Sequence, residues 1–370
     1  MKEYDIVVVG GGPAGCSAAR AAAEKGAEVL IVEEHPQIGL PIHCQGSWQP
    51  HRLATVLGSN REFMEGLVET MDRRVVLSEL KAFRTFSPSG RVRESPTQGG
   101  GTYLIDRSLF DLELSKQAAN AGAEVMLNTK VVDLIREDGT IKGVITNSRT
   151  MPKINSKVVI AADGTRSHFK GIPRWEGMAG TDLRVMSGIY WYLTRVKDIE
   201  PGIIELHMGS FSPRGWCTLH CHSSVSCTSD IASISEFETI KAGNWVLSKK
   251  LRDCRVLRMQ GTAHPWAYGG VLPKKVKDGL ILTGDAAGCG GNVLAVVSGR
   301  FAGEVAAEAV EAGDFTEAKL GKYDELCRKL TEEGWSGAPL LVALRRMNKP
   351  DSEDELEEVW EKVAQGEISH

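Results

Sequence analysis

The stretch Gly10-Gly11-Gly12-Pro13-Ala14-Gly15 restricts what this chain can fold into more than any other. It follows Tyr4-Asp5-Ile6-Val7-Val8-Val9, an almost unbroken β-branched run suited to a strand buried on both faces of a parallel sheet. It precedes the alanine-rich segment Cys16–Lys25, which favours helix. A G-x-G-x-x-G between a strand and a helix has a physical reading. The first glycine permits the tight turn, the second lets the backbone approach a pyrophosphate, and the third lets the helix pack closely on the strand. The free N–H groups and dipole of the helix then face the phosphates. Gly26 ends the helix, and a second strand over Ala27–Val32 leads to Glu33. That acid lies roughly 20 residues past the glycines, where a carboxylate takes ribose hydroxyls. Gly10, Gly12, Pro13, Ala14, Gly15 and Glu33 are therefore the expected dinucleotide contacts of this segment.

Two later segments separate a flavin from a nicotinamide nucleotide. Residues 157–167 run as a strand into Asp163-Gly164, and residues 279–288 run as a strand into Gly284-Asp285. Each delivers an acid and glycines to the carboxyl edge of a sheet, where ligands of open α/β sheets sit. There is no second G-x-G-x-x-G. Gly99-Gly100-Gly101 has no strand–helix context and reads as a loop.

With glycine cradle, Asp-Gly and Gly-Asp in this order, the chain resembles the flavoprotein family of hydroxylases and related reductases. Further segments narrow the resemblance to the geranylgeranyl reductases. These are Gly39-Leu40-Pro41-Ile42-His43-Cys44-Gln45-Gly46 and Asp106-Arg107-Ser108-Leu109-Phe110-Asp111, similar to that family's cysteine loop and D-R-x-x-F-D signature. The resemblance implies FAD as cofactor. It implies that Asp285 binds the ribityl chain, that Asp163 and Gly164 sit near the pyrophosphate and ribose, and that Arg107 reaches the FAD. The Val131 backbone should face the adenine. His43, Cys44 and Gln45 should line the flavin, with Cys44 and His43 as candidates to shape the site or move a proton. Gly290, Gly291 and Asn292 should open a helix over Val293–Val310 that is aimed at the flavin pyrimidine. The loop before that helix is shorter than the family's. Of the family's aromatic channel-lining stretch, only Trp216 survives within Arg214–His222.

The fold class that follows is α/β. A Rossmann-like FAD-binding domain of the glutathione-reductase/hydroxylase type is joined to a second, α+β substrate domain built on an antiparallel sheet. The expected division assigns residues 1–60, 100–170 and 275–330 to the FAD domain, 61–99 and 171–274 to the substrate domain, and 331–370 to a C-terminal helical tail. In the substrate domain Met186–Leu193 and Ile203–Met208 read as strands, and Trp191, Trp216, His220 and Trp266 are candidates for the pocket. In the tail, Asp351 or Ser352 caps an acidic amphipathic helix bearing Leu356, Val359, Trp360 and Val363. This helix packs on its own domain or docks a carrier.

Composition excludes other classes. A net charge of -4 argues against nucleic acid as a ligand. No apolar run reaches the roughly 18 residues of a spanning helix. No secretory signal is expected, so the expected location is cytoplasmic, with at most peripheral membrane contact. The eight cysteines contain no C-x-x-C pair, which counts against a ferredoxin-type cluster. Cys217, His220, Cys221, His222 and Cys227 are dense enough to suggest a metal. On a strand, however, Cys217 and Cys221 share one face while His220 and His222 take the other, so no metal is assigned.

The leading function is reduction of carbon–carbon double bonds in a prenyl or other apolar substrate, with hydride from N5 of reduced flavin and a proton to the neighbouring carbon. Electrons arrive from NAD(P)H docking transiently or from a ferredoxin-like carrier. The alternatives are an aromatic-hydroxylase-type flavin monooxygenase, a flavoprotein dehydrogenase serving a quinone or protein carrier, and a flavin-binding module without turnover.

Overall fold

In the computed structural model the described residues are 3–42, 44, 46–50, 61–97, 101–164, 183–212, 215–223, 225–231, 233–267, 274–334 and 352–368. His43 and Gln45 lie outside them, as do the side chains of Cys227 and Trp266.

The chain begins with β1 (Glu3–Val9), α1 (Pro13–Glu24) and β2 (Val29–Val32). Next come β3 (Ser47–Trp48), α2 (Arg61–Gly66), β4 (Val76–Glu79), β5 (Ala82–Phe86), β6 (Val92–Pro96) and β7 (Tyr103–Ile105). Then follow α3 (Arg107–Asn120), β8 (Glu124–Met126), β9 (Val131–Glu137), β10 (Thr140–Thr146) and β11 (Lys153–Ala161). A second excursion supplies β12 (Leu183–Thr194), β13 (Ile203–Met208), β14 (Trp216–Cys221), β15 (Val225–Ile231), α4 (Ile234–Ala242), α5 (Val246–Leu251) and β16 (Arg255–Ala267). β17 (Val276–Lys277), β18 (Leu280–Leu282), α6 (Asn292–Ala312), α7 (Glu317–Leu320) and α8 (Lys322–Gly334) follow, and α9 (Glu353–Gln365) comes last.

These elements form two units. The first comprises Met1–Leu40, Ser108–Met186 and His264–Glu332. Its sheet runs β17-β18-β11-β1-β2-β8, with β10 paired to β11 and to β9. β1, β2, β8, β11 and β18 are parallel, as the continuous apolar runs require. Ile6, Val7, Val8, Ile31, Val159 and Ile160 are essentially inaccessible. Helices α1 and α6 cross closely because Gly299 and Gly303 face the Ala14 and Ala18 carbonyls. A Cβ at either glycine would stand 2.1 Å from that oxygen.

The second unit comprises Pro41–Arg107, Ser187–Ala263 and Glu333–His370. Its main sheet runs β16-β12-β15-β14-β13-β5-β6; β12–β15, β15–β14, β14–β13 and β5–β6 pair antiparallel, and β13–β5 pair in parallel. A small sheet β3-β7-β4 accompanies it. One face of the main sheet packs under α4 and α5 through Trp191, Leu193, Cys217, Leu219, Cys221, Phe237, Ile240, Leu247 and Leu251. The other face packs under α9 through Leu206, Met208, Trp216, Leu356, Trp360 and Val363.

The division differs from the sequence expectation at several boundaries, with 186/187 in place of 170/171 and 263/264 in place of 274/275. The cofactor half was expected to reach residue 60 and resume at 100, yet Pro41–Arg107 belongs to the second unit, where Ser47–Trp48 pairs with Tyr103–Leu104. The C-terminal residues are not a separate tail, because the apolar face of α9 completes the core of the second unit. Ser352 caps α9, its hydroxyl accepting the Glu355 N–H at 3.2 Å.

Candidate active site

In the first unit the three landmarks meet at the carboxyl edge of the parallel sheet. The chain leaves β1 at Gly10, whose φ of +98° is open to glycine. The Cβ of any other residue there would lie 2.5 Å from the Ala162 carbonyl oxygen and 3.3 Å from the Asp163 Cα, so the Asp-Gly segment abuts the cradle. A Cβ at Gly15 would stand 1.9 Å from the Gly10 oxygen, which is the close helix–strand approach the motif requires. The Gly-Asp segment arrives from β18, where the Thr283 N–H donates to the Ala161 carbonyl at 2.9 Å. A Cβ at Gly284 would sit 2.7 Å from that of Ala14, so this segment adjoins the first turn of α1.

Among the described residues, and apart from chain neighbours, no atom lies within 4 Å of where a Cβ would stand on Gly12, Gly164 or Gly291. Gly12 and Gly291 precede α1 and α6 and have no side chain to cap them, so each helix ends at this junction with its N-terminal backbone uncapped by the N-cap residue. Asp285 stands beside Gly290, at 3.4 Å from the position of its absent Cβ, and Asn292 is the buried first residue of α6.

Glu33 follows β2, with one carboxylate oxygen accepting the Gly11 N–H at 2.7 Å. The other oxygen meets the His35 backbone N–H at 2.9 Å and the His35 Nδ1 at 2.6 Å. His35 was not foreseen. Its position two residues past the acid was the available clue. Val131 is buried at the start of β9, two residues after Thr129, whose N–H donates to the Glu33 carbonyl at 2.9 Å.

The second unit holds the cysteine loop. Cys44 is half-buried, and its Sγ accepts the Gly46 N–H at 3.3 Å. The Tyr192 hydroxyl donates to the Cys44 carbonyl at 2.9 Å and fixes the loop to β12. Arg107 belongs to this unit and opens α3. Its Cγ lies 3.4 Å from where a Cβ would stand on Gly46. Tyr192 is a second residue that the sequence reading missed, because an aromatic strand does not reveal which ring carries the useful hydroxyl.

The FAD dependent oxidoreductase family pattern matches residues 5–230 of the chain. A digeranylgeranylglycerophospholipid reductase from Methanosarcina acetivorans is 32% identical over 90% of this chain and 82% of that protein. Its counterpart in Thermoplasma volcanium is 30% identical over 89% and 84%. Among solved structures, a geranylgeranyl bacteriochlorophyll reductase-like protein of Thermoplasma acidophilum superposes with a TM-score of 0.76 at 26% identity, over 97% of this chain and 90% of that one.

The chain belongs to the geranylgeranyl reductase family of FAD-dependent oxidoreductases.

The myxobacterial chondrochloren halogenase, at 20% identity and a TM-score of 0.71, shares the fold alone. The donor set fits the family's cofactor. Open glycine backbone and two uncapped helix N-termini suit the pyrophosphate and the flavin, and Glu33 suits the ribose.

Of the residues offered as pocket lining, Trp191, Trp216 and His220 are buried, and the Trp266 side chain lies outside the described residues. Trp191 stacks on Phe237, with centroids 4.1 Å apart, inside the core beneath α4. Trp216 is buried under α9. Both positions follow from strand alternation, which turned each ring toward a covering helix. His220 is 5% exposed on the strand face opposite Cys217 and Cys221, 6.4 Å from the His222 ring. Burial, with a smaller contribution from His222, lowers its pKa to about 3, so the ring is neutral at physiological pH. Among the described residues no cluster of metal-ligating side chains forms, and no helix is long and apolar enough to cross a membrane.

Proposed function

We propose that this reductase saturates carbon–carbon double bonds in the prenyl chains of a lipid. The observation that carries the reading is similarity to digeranylgeranylglycerophospholipid reductases, at 32% identity over 90% of this chain and 82% of that protein. Bound FAD supplies the hydride when reduced. The chain's own residues hold the cofactor and the site around it. Gly12, Ala14 and Gly15 present backbone to the pyrophosphate, Glu33 takes the ribose hydroxyls, and Asp285 takes the ribityl chain. The N-terminus of α6 at Gly291-Asn292 stabilises negative charge on the flavin pyrimidine. In the second unit, Cys44, on the loop held by Tyr192, is the thiol this reading assigns to moving a proton. An unactivated alkene offers no carbonyl to polarise, so catalysis depends on a dry, tightly held arrangement.

Without a second dinucleotide motif, the electron donor docks transiently, as NAD(P)H or a ferredoxin-like carrier. Anaerobic mixing of chemically reduced holoprotein with digeranylgeranylglycerophospholipid tests the reading. It requires flavin reoxidation matched by product gaining two hydrogens per bond. Reoxidation by oxygen and a phenol, with no reaction toward the lipid, would instead favour a hydroxylase-type monooxygenase.

A further inference from the structure

We propose that the exposed edge of β16 is where this protein rests on an anionic lipid surface; the proposal builds on the prenyl-lipid reading above. Val256, Leu257 and Met259 are 43%, 58% and 48% exposed, so three large apolar side chains stand in water within four consecutive residues. Such clustering is uncommon on a surface that meets only solvent. Arg255 and Arg258 are interleaved with them and are also exposed. β16 ends the sheet order, with β12 as its neighbour among the described residues. Side chains alternate along a strand, so Val256 and Arg258 flank one side while Arg255, Leu257 and Met259 flank the other. Apolar and basic groups therefore border the edge on both sides.

The charge pattern names the occupant. Guanidinium groups beside apolar side chains match phosphates above acyl chains, and the combination binds anionic membranes through both terms. The nearest acid along the chain, Asp253, is already paired with Lys197 and leaves the strip positive. The strip is also coupled to the active-site loop. The Arg258 guanidinium lies 4.0 Å from the centre of the Tyr192 ring, and the Tyr192 hydroxyl holds the Cys44 carbonyl. A lipid phosphate at Arg258 would thus stand two contacts from the cysteine loop.

Co-sedimentation of the holoprotein with phosphatidylglycerol or phosphatidylcholine vesicles tests this. The unaltered protein should partition onto phosphatidylglycerol, more weakly with added salt, and poorly onto phosphatidylcholine. The double variant Leu257→Ser/Met259→Ser should lose at least about fivefold in partitioning, and Arg255→Gln should reduce the preference for the anionic vesicle. These side chains are exposed, so FAD content and far-ultraviolet dichroism should be unchanged. Turnover of vesicle-embedded lipid should fall in the double variant, while turnover of a detergent-dispersed prenyl substrate stays level. Equal partitioning of all three proteins would overturn the proposal. So would a dimer abolished by the same substitutions without vesicle binding, which would assign the strand to a second copy of the chain. If the unaltered protein reduced neither form of the substrate, the prenyl-lipid reading would fail, and vesicle partitioning would still decide the role of the strand.

Discussion

Glu33, just past the end of β2, and Glu205, within β13, are buried carboxylates, one in each unit, and their surroundings give them opposite uses. Glu33 follows a parallel strand at the ligand edge of its sheet. Its oxygens are held by the Gly11 and His35 backbone N–H groups and by the His35 ring. Glu205 stands in mid-strand and is fully buried. Its partners are His207 Nε2 at 2.9 Å and Lys250 Nζ at 3.1 Å, and Lys250 also donates to the Asp198 carbonyl. Burial alone would raise the Glu205 pKa and lower that of His207, but the hydrogen bond with His207 and the charge of Lys250 leave the carboxyl below its usual range. A carboxylate held by backbone at a sheet edge can exchange those contacts for a ligand. One enclosed by side chains inside a sheet is committed to the fold. The first unit holds its buried carboxylate mainly with backbone N–H groups, whereas the second holds its own with the side chains of His207 and Lys250.

Substitutions in the two units should therefore have separable effects. Glu205→Gln should have the largest effect, because it leaves Lys250 buried without its carboxylate. A loss of about 3–5 kcal/mol in urea unfolding is expected, with FAD affinity unchanged in whatever protein remains folded. Weaker FAD binding at equal stability would erase the contrast. Glu33→Gln should do the reverse, weakening FAD binding about tenfold, or about 1.4 kcal/mol, with the unfolding midpoint nearly unmoved. Fluorescence titration of the apoprotein measures it.

His220 sharpens the comparison through pH. Its folded pKa, about 3, lies below the ordinary 6.5, so the unfolded chain takes up the proton first as pH falls. Its contribution is complete above pH 6.5 and is lost as pH drops toward about 3, at up to about 1.4 kcal/mol per pH unit. His220→Leu should flatten the stability profile over that window, as urea unfolding at a series of pH values would show. Ser352→Ala should have the smallest effect. It removes the cap of α9 and about 1 kcal/mol of stability in the second unit, while FAD affinity is untouched.

The same contrast explains what the sequence disclosed. Gly10, Gly15, Asp163 and Asp285 were legible because each belongs to a short motif tied to one strand end. Their convergence follows from parallel pairing among β1, β11 and β18. The interior of the second unit was not legible in this way. β13 pairs in parallel with β5, which lies more than a hundred residues earlier, and no local pattern announces such a partner. Which face of β14 lies beneath α9 depends on a helix from the far end of the chain, so the sequence left Trp216 open between pocket lining and core, and it is buried in the cluster under α9. Trp191 shows the same limit, because aromatic content reveals burial but not which side of the sheet receives the ring. His35, Gly299 and Gly303 were visible as residues, yet their use depends on contacts that only the folded chain creates.

The most direct measurement of the central claim, that open backbone at Gly12 receives the flavin nucleotide, is FAD affinity alongside unfolding free energy in Gly12→Ala. Among the described residues, apart from its chain neighbours, nothing lies within 4 Å of where that methyl group would stand. Unfolding of the apoprotein should therefore change by no more than about 0.5 kcal/mol, while FAD binding weakens about 100-fold. Undiminished FAD affinity in a stably folded Gly12→Ala protein would contradict the account.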